Sequence, residues 1–218
     1  MGAVDGKHVN TEAPANSGSV YYNYKKTFSV ILLVLVDANY NFIMIDVSCL
    51  GRSSDGGIFS HSVLGKQSEN GNLNIPLDSC LPRTNIEAHF VIVRDEAFPL
   101  KTYLMRPYPG RQSSGNDFMT YFNNRLSRPR RVSENVLGIL AQKSRIFLRT
   151  IKSSPENVDY IISAACELHN FIRRQNDKSA NQTNTITHEP SGTAQILNSV
   201  PLQGGRATDN AFALREIF

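Results

Sequence analysis

A chain of 218 residues has room for one domain of ordinary size, or one domain with tails; its 40 % apolar content is low for a compact domain, so part of it is expected to stay unpacked. No apolar run approaches the ~20 residues of a bilayer-spanning helix. The opening MGAVDGKHVN carries charges where a signal peptide needs an apolar core. Three cysteines, Cys49, Cys80 and Cys166, show no metal-ligand spacing, and their odd number points to reduced thiols in an intracellular protein. The net charge of +4 conceals a segregation: Lys101 to Lys152 holds eleven Lys or Arg against two acids, Asp117 and Glu134, a net +9 that leaves −5 elsewhere. A one-signed segment of this kind is an electrostatic footprint for phosphates.

In chain order, GAVDGKHV (residues 2–9) reads as a short strand with Asp5 inside it, followed by a turn-rich loop over 10–20. FSVILLVLVDA (28–38) is apolar at nearly every position, as in a central strand covered on both faces. A short Asn-containing turn leads to FIMIDVSCL (42–50), making a hairpin in which Asp37 and Asp46 are turn and edge residues. Ser54 or Asp55 can N-cap a helix over about 57–66, and residues around Cys49 and Cys166 read as core. Phe90 to Val93 are four apolar residues stopped by Arg94, Asp95 and Glu96, the pattern of a buried strand whose carboxyl end opens on a crevice. Ala97 to Pro107 is short and amphipathic.

A long helical stretch starts at Phe118, and Pro129 is expected to kink or interrupt it. Val132, Val136, Leu137, Leu140, Phe147 and Leu148 keep helical spacing, with Glu134 near one edge of that stripe. Ser154, Pro155 and Glu156 open a last helix, whose inner face carries Val158, Ile161, Ile162, Ala165, Leu168, His169 and Ile172. His169 reads as a hydrogen-bonded core histidine. The composition then turns polar, so a folded unit over 1–175 is expected to be followed by a disordered tail over 176–218, with AFALREIF as a marginal helix lacking a partner.

Three consecutive strands form an antiparallel meander, and a fourth joins after a crossover helix. That order places the strand of Asp5 beside the strand of Asp95, with Glu134 arriving from a helix on the sheet. Three converging acids raise one another's pKa and cost stability, a cost that a divalent cation relieves. Hard oxygen ligands with room for water and phosphate suit Mg²⁺ or Mn²⁺.

These segments, taken in order, resemble the DDE nuclease domain of PIF/Harbinger-type transposases, over roughly residues 2–175. GAVDGKHV resembles the first-Asp motif, GRSSDGGIF the glycine-plus-Asp segment with Asp55 outside the triad, and HFVIVRDEAFPLKTYLMRPYPG the second-Asp motif. FNNRLSRPRRVSENVLGILAQKSRIF resembles the helix carrying the catalytic Glu, and SPENVDYIISAACELHNFIRR the closing helix. The resemblance implies an RNase H-like α/β fold, a mixed sheet flanked by helices. It also implies Asp5, Asp95 and Glu134 as metal-binding catalytic acids, a divalent metal (Mg or Mn), and cleavage of DNA phosphodiester bonds. A Myb-like partner supplying DNA recognition and entry to the nucleus is implied as well. Arg94 stands where the family has a small or acidic residue and is expected to crowd or neutralise the site. The first motif stands at the start of the sequence, so the family's N-terminal helical DNA-binding region is expected to be missing. Those departures support a second reading: an inactive domesticated protein that binds DNA or a partner.

Overall fold

The computed structural model describes residues 2–48, 55–73, 75–81, 84–96, 98–182 and 209–217. The chain opens with strands β1 (Ala3–Asn10), β2 (Ser29–Val36) and β3 (Phe42–Ser48). Helices α1 (Asp55–His61) and α2 (Val63–Glu69) follow, then a small ribbon of β4 (Ser79–Cys80) and β5 (Glu87–Ala88). Strands β6 (Ile92–Val93) and β7 (Leu104–Met105) precede a single helical turn, α3 (Gly110–Ser113), and the long helices α4 (Asp117–Lys143) and α5 (Pro155–Gln182). A final helix, α6, spans Asp209–Ile217. The main sheet has the order β3-β2-β1-β6-β7. β1–β2 and β2–β3 are antiparallel, whereas β1–β6 and β6–β7 are parallel. The expected meander plus parallel strands, flanked by helices, is therefore the observed α/β architecture.

All eight residues of β2 are buried, because both sheet faces are covered. On one face Ala3, Val9, Val30, Leu32, Val34 and Val36 meet Val136, Leu137 and Leu140 of α4 and Val158, Ile162 and Cys166 of α5. On the other, Val4, Leu33 and Leu35 meet Phe59, Leu64, Ile92, Phe98 and Leu104. Burying each such side chain is worth about 1.5–3 kcal/mol, so the alternation of β2 alone holds the two layers in register. At the hairpin, Asp37 Oδ1 accepts the backbone N–H groups of Asn39 and Asn41, both at 2.8 Å. Asp46 Oδ2 accepts the N–H of Val63 at 2.9 Å, satisfying an orphan donor in the first turn of α2. His169 Nε2 bonds the carbonyl of Tyr40 at 2.8 Å and its ring stands edge-on to Phe42, which makes it the core histidine expected. Its neighbour Asn170 closes the outer edge of β3, accepting the Phe42 N–H at 2.8 Å and donating to the Phe42 carbonyl at 2.9 Å.

Several expectations are corrected. The single helix over 57–66 is two helices broken at Ser62, whose Oγ accepts the Gly65 N–H at 2.9 Å and starts α2 afresh. The break needs Gly65: a Cβ there would lie 1.8 Å from the Phe59 carbonyl oxygen. Gly65→Ala is therefore expected to cost about 1–3 kcal/mol of stability, read as a lower denaturant midpoint with an unchanged slope. Pro129 does not interrupt α4; one helix runs through Asp117–Lys143. Pro129 leaves the carbonyl of Arg125, four residues back, without its helical donor, and buried Phe122, Val136 and Leu137 hold the helix down on both sides. Phe147 and Leu148 fall after the helix end, in a 3-10 turn over Arg145–Leu148, and Leu168 is exposed.

Of the expected disordered tail, α5 continues to Gln182 and α6 has a partner after all. Ala211 and Leu214 pack with Leu100, Met105, Tyr108 and Phe122, and Arg215 lies 3.6 Å over the Tyr108 ring. Strand β7, two residues long, arises inside the stretch read as merely amphipathic. The expected Ser54 cap and buried Cys49 lie outside the described residues, as do 183–208. Among the described residues no helix is long and apolar enough to cross a membrane.

Candidate active site

The site is built on the parallel pairing of β1 with β6. Ala3 sits opposite Val93, and Val93 N–H donates to the Gly2 carbonyl at 2.9 Å. The next residue, Arg94, still donates its N–H to Met105 at 2.9 Å, so the chain leaves β6 in extended form. Asp5 lies two residues beyond Ala3, and Asp95 two beyond Val93. In parallel strands equal offsets stay level, and a period of two keeps a side chain on one face. Asp5 therefore belongs to the face that carries Ala3, Val9 and Val34, which is the face covered by α4, and Asp95 follows the end of the neighbouring strand. Helix α4 crosses β1, β2 and β6 and brings Glu134 to the same neighbourhood.

The electrostatics agree with that placement. The Asp5 carboxyl is pushed up from 3.8 to about 7. Burial is the main cause, and the charges of Asp95 and Glu134 add to it; the Gly6 N–H, 2.8 Å from Oδ1, and the positive charge of Arg94 pull the other way. Glu134 is exposed and forms an i,i+4 ion pair with Arg130 at 3.6 Å. Lys7, two residues past Asp5 and so on the same face, is held below the usual lysine range by burial, against the pull of the Asp5 charge. Neither Lys7 nor Arg130 stands out in the linear sequence. The signal for Lys7 was its strand parity with Asp5, and for Arg130 its helical spacing from Glu134.

Arg94 does not crowd the acids. Strand alternation turns it to the opposite face, where it is fully buried, packed on the Phe98 ring and 4.9 Å from the centre of Phe59. Its charge still reaches Asp5 through the sheet. Three acids thus share one electrostatic neighbourhood, but they are not drawn into a finished cage. Among the described residues no group of three or more His, Cys, Asp or Glu is arranged to hold a metal ion. Glu134 instead pairs with Arg130. The donor chemistry nevertheless fits a hard divalent cation, since all three candidate ligands are carboxylates.

Comparison with known proteins gives the family. The DDE superfamily endonuclease family matches residues 4–170, a span containing all three acids. The chain is 30 % identical to "Protein ALP1-like" of Arabidopsis thaliana over 82 % of its own length and 44 % of that protein. It is 28 % identical to "Putative nuclease HARBI1" of Rattus norvegicus, over 94 % of its length and 56 % of that protein. The protein of the same name in Homo sapiens is 25 % identical over the same shares. The chain spans about half the length of these relatives. No solved structure matches it. The relatives agree with the resemblance read from the motifs, and with a match over most of its length the chain belongs to the DDE superfamily endonuclease family, as a nuclease-type domain.

Proposed function

We propose that this domain, with an RNase H-like arrangement, cleaves DNA phosphodiester bonds with a divalent metal, using Asp5, Asp95 and Glu134. The observation that supports the reading is that Asp95, two residues past the end of β6, and Glu134 of α4 both act electrostatically on Asp5 in the neighbouring parallel strand β1. When bound, Mg²⁺ or Mn²⁺ would supply Lewis acidity and an activated water for phosphodiester hydrolysis. The chain's own residues prepare for this. Asp5, with a midpoint near neutrality, gives up its proton at little cost where a cation arrives. Glu134 can leave Arg130, since an exposed pair of this kind is worth under ~1 kcal/mol. Arg130 is then free to meet a phosphate, and the one-signed segment from Lys101 to Lys152 holds the polyanion. The same reading has the protein act in the nucleus, with a Myb-like partner for sequence recognition.

The test is nicking of supercoiled plasmid with Mg²⁺ or Mn²⁺. Asp95→Ala is expected to lower the rate at least ~100-fold, since losing a few kcal/mol of transition-state stabilisation has that effect. Nicking that survives this substitution unchanged does not come from this site. A second reading is a DNA- or partner-binding protein without catalysis, favoured by the buried positive charge of Arg94 acting on Asp5. That protein would bind DNA with steep salt dependence and never nick it, and Asp5→Ala would leave binding intact.

A further inference from the structure

Helix α5 is apolar on two faces. Val158, Ile162 and Cys166 pack into the core. Two residues on from Val158, and so across the helix, a second row starts at Tyr160 and continues through Ala164, Leu168 and Phe171. At ~100° per residue these four lie within about 80° of one another. All four are exposed, Tyr160 by 75 %, Leu168 by 54 % and Phe171 by 59 %. A surface helix ordinarily turns a polar face to water, and a contiguous apolar row left outside marks an interaction surface.

The charges beside the row indicate what covers it. Glu156 and Arg174 are both exposed and stand about five turns apart at ~3.6 residues per turn, so they share one flank of α5. Among the described residues neither forms an ion pair. The flank is acidic where α5 begins and basic further along, and is thus complementary to its own reverse. Laying a second copy antiparallel, with a two-fold axis between Ala165 and Cys166, exchanges the two ends. Tyr160 then comes level with the partner's Phe171, and Ala164 meets the partner's Leu168, small against large. Glu156 comes within one residue of level with the partner's Arg174. Each contact occurs twice, as two-fold symmetry requires. Glu167, on the same flank beside the axis, faces its own copy and opposes the pairing.

We propose that the outer face of α5 is a self-association surface, on which a second copy of this chain docks antiparallel through Tyr160, Ala164, Leu168 and Phe171. The pairing does not rest on the nuclease reading. A flank that complements its own reverse favours a second copy over an unlike partner. One helix face is at the small end of specific interfaces, so a reversible dimer with a micromolar Kd is expected.

Sedimentation equilibrium of the full chain, up to about 100 μM and at low ionic strength, tests it. A monomer–dimer equilibrium is expected. Leu168→Glu puts a charge in the seam and should weaken the dimer at least ~30-fold. Glu156→Arg alone and Arg174→Glu alone each set like charges opposite one another and should weaken it about three- to tenfold. Mixing these two single variants should restore association, because each supplies the charge that the other lacks. Glu167→Gln should tighten the dimer. A chain that stays monomeric over the whole range overturns the proposal and leaves the row to an unlike partner. A dimer indifferent to Leu168→Glu overturns it too, as does a mixture of the charge variants that associates no better than either alone. Circular dichroism melts of the dilute variants, matching wild type, separate lost association from unfolding. Should Leu168→Glu fail to fold, Tyr160→Ser with Phe171→Ser carries the same test.

Discussion

Asp5→Asn is expected to stabilise the metal-free protein at pH 8 while abolishing its proposed activity. The folded carboxyl has its midpoint near 7 instead of 3.8. A raised midpoint means that folding favours the protonated form. The penalty is absent below about pH 3.8, grows as pH rises from there to 7, and is complete above. A shift of about three units corresponds to about 4 kcal/mol. Asparagine carries no charge to bury and keeps an oxygen for the Gly6 N–H, which bonds Asp5 Oδ1 at 2.8 Å. For a domain of this size each kcal/mol moves the melting temperature about 2–4 °C. A rise of about 8 °C or more is therefore expected at pH 8, shrinking towards zero at pH 4, in metal-free thermal melts. The same variant should nick plasmid at least ~100-fold more slowly and lose the stabilisation that Mg²⁺ or Mn²⁺ gives the wild type. A melting difference independent of pH would show that burial of charge at Asp5 is not its source. Greater stability with lost activity is the expected sign of a residue kept for chemistry at the expense of the fold.

Arg94 carries the second large effect, through packing and charge at once. Its side chain is wholly buried between Phe98 and Phe59 on the face opposite the acids. Desolvated cation–π contacts contribute about 2 kcal/mol, and the aliphatic stem adds its own burial. Arg94→Ala is expected to cost about 4 kcal/mol, measured by chemical denaturation at pH 7. Arg94→Met keeps most of the volume and loses the charge. Because the Arg94 charge pulls the Asp5 midpoint down, the Met variant should move that midpoint above its wild-type value, as read by NMR titration of the Asp5 carboxyl. An unmoved midpoint would mean that the two residues do not feel each other across the sheet.

How legible this protein was depends on the range of the interactions involved. The unbroken apolar run of β2 announced a strand covered twice, because a two-sided burial pattern depends on that strand alone. The hairpin at Asp37 and the start of α5 at Ser154 were legible for the same reason, since turn and cap chemistry is satisfied within a few residues. The order of strands followed from their spacing, and with it the neighbourhood of Asp5 and Asp95. Other features depended on partners remote in sequence. Ser62 could break a helix only because Gly65 admits the Phe59 carbonyl. Pro129 could stay inside α4 only because packing on both sides outweighs one missing hydrogen bond. The two residues of β7 were too few to show any period.

The linear sequence by itself determined which residues carry charge and which strands are central, since these follow from residue type and local spacing. Tertiary structure alone decided that Arg94 lies across the sheet from the acids and that α6 rests on Tyr108 and Phe122. It also decided that Glu134 pairs with Arg130. Each of these outcomes is a competition between contacts distant in sequence, and their relative strengths exist only once the sheet and helices are packed.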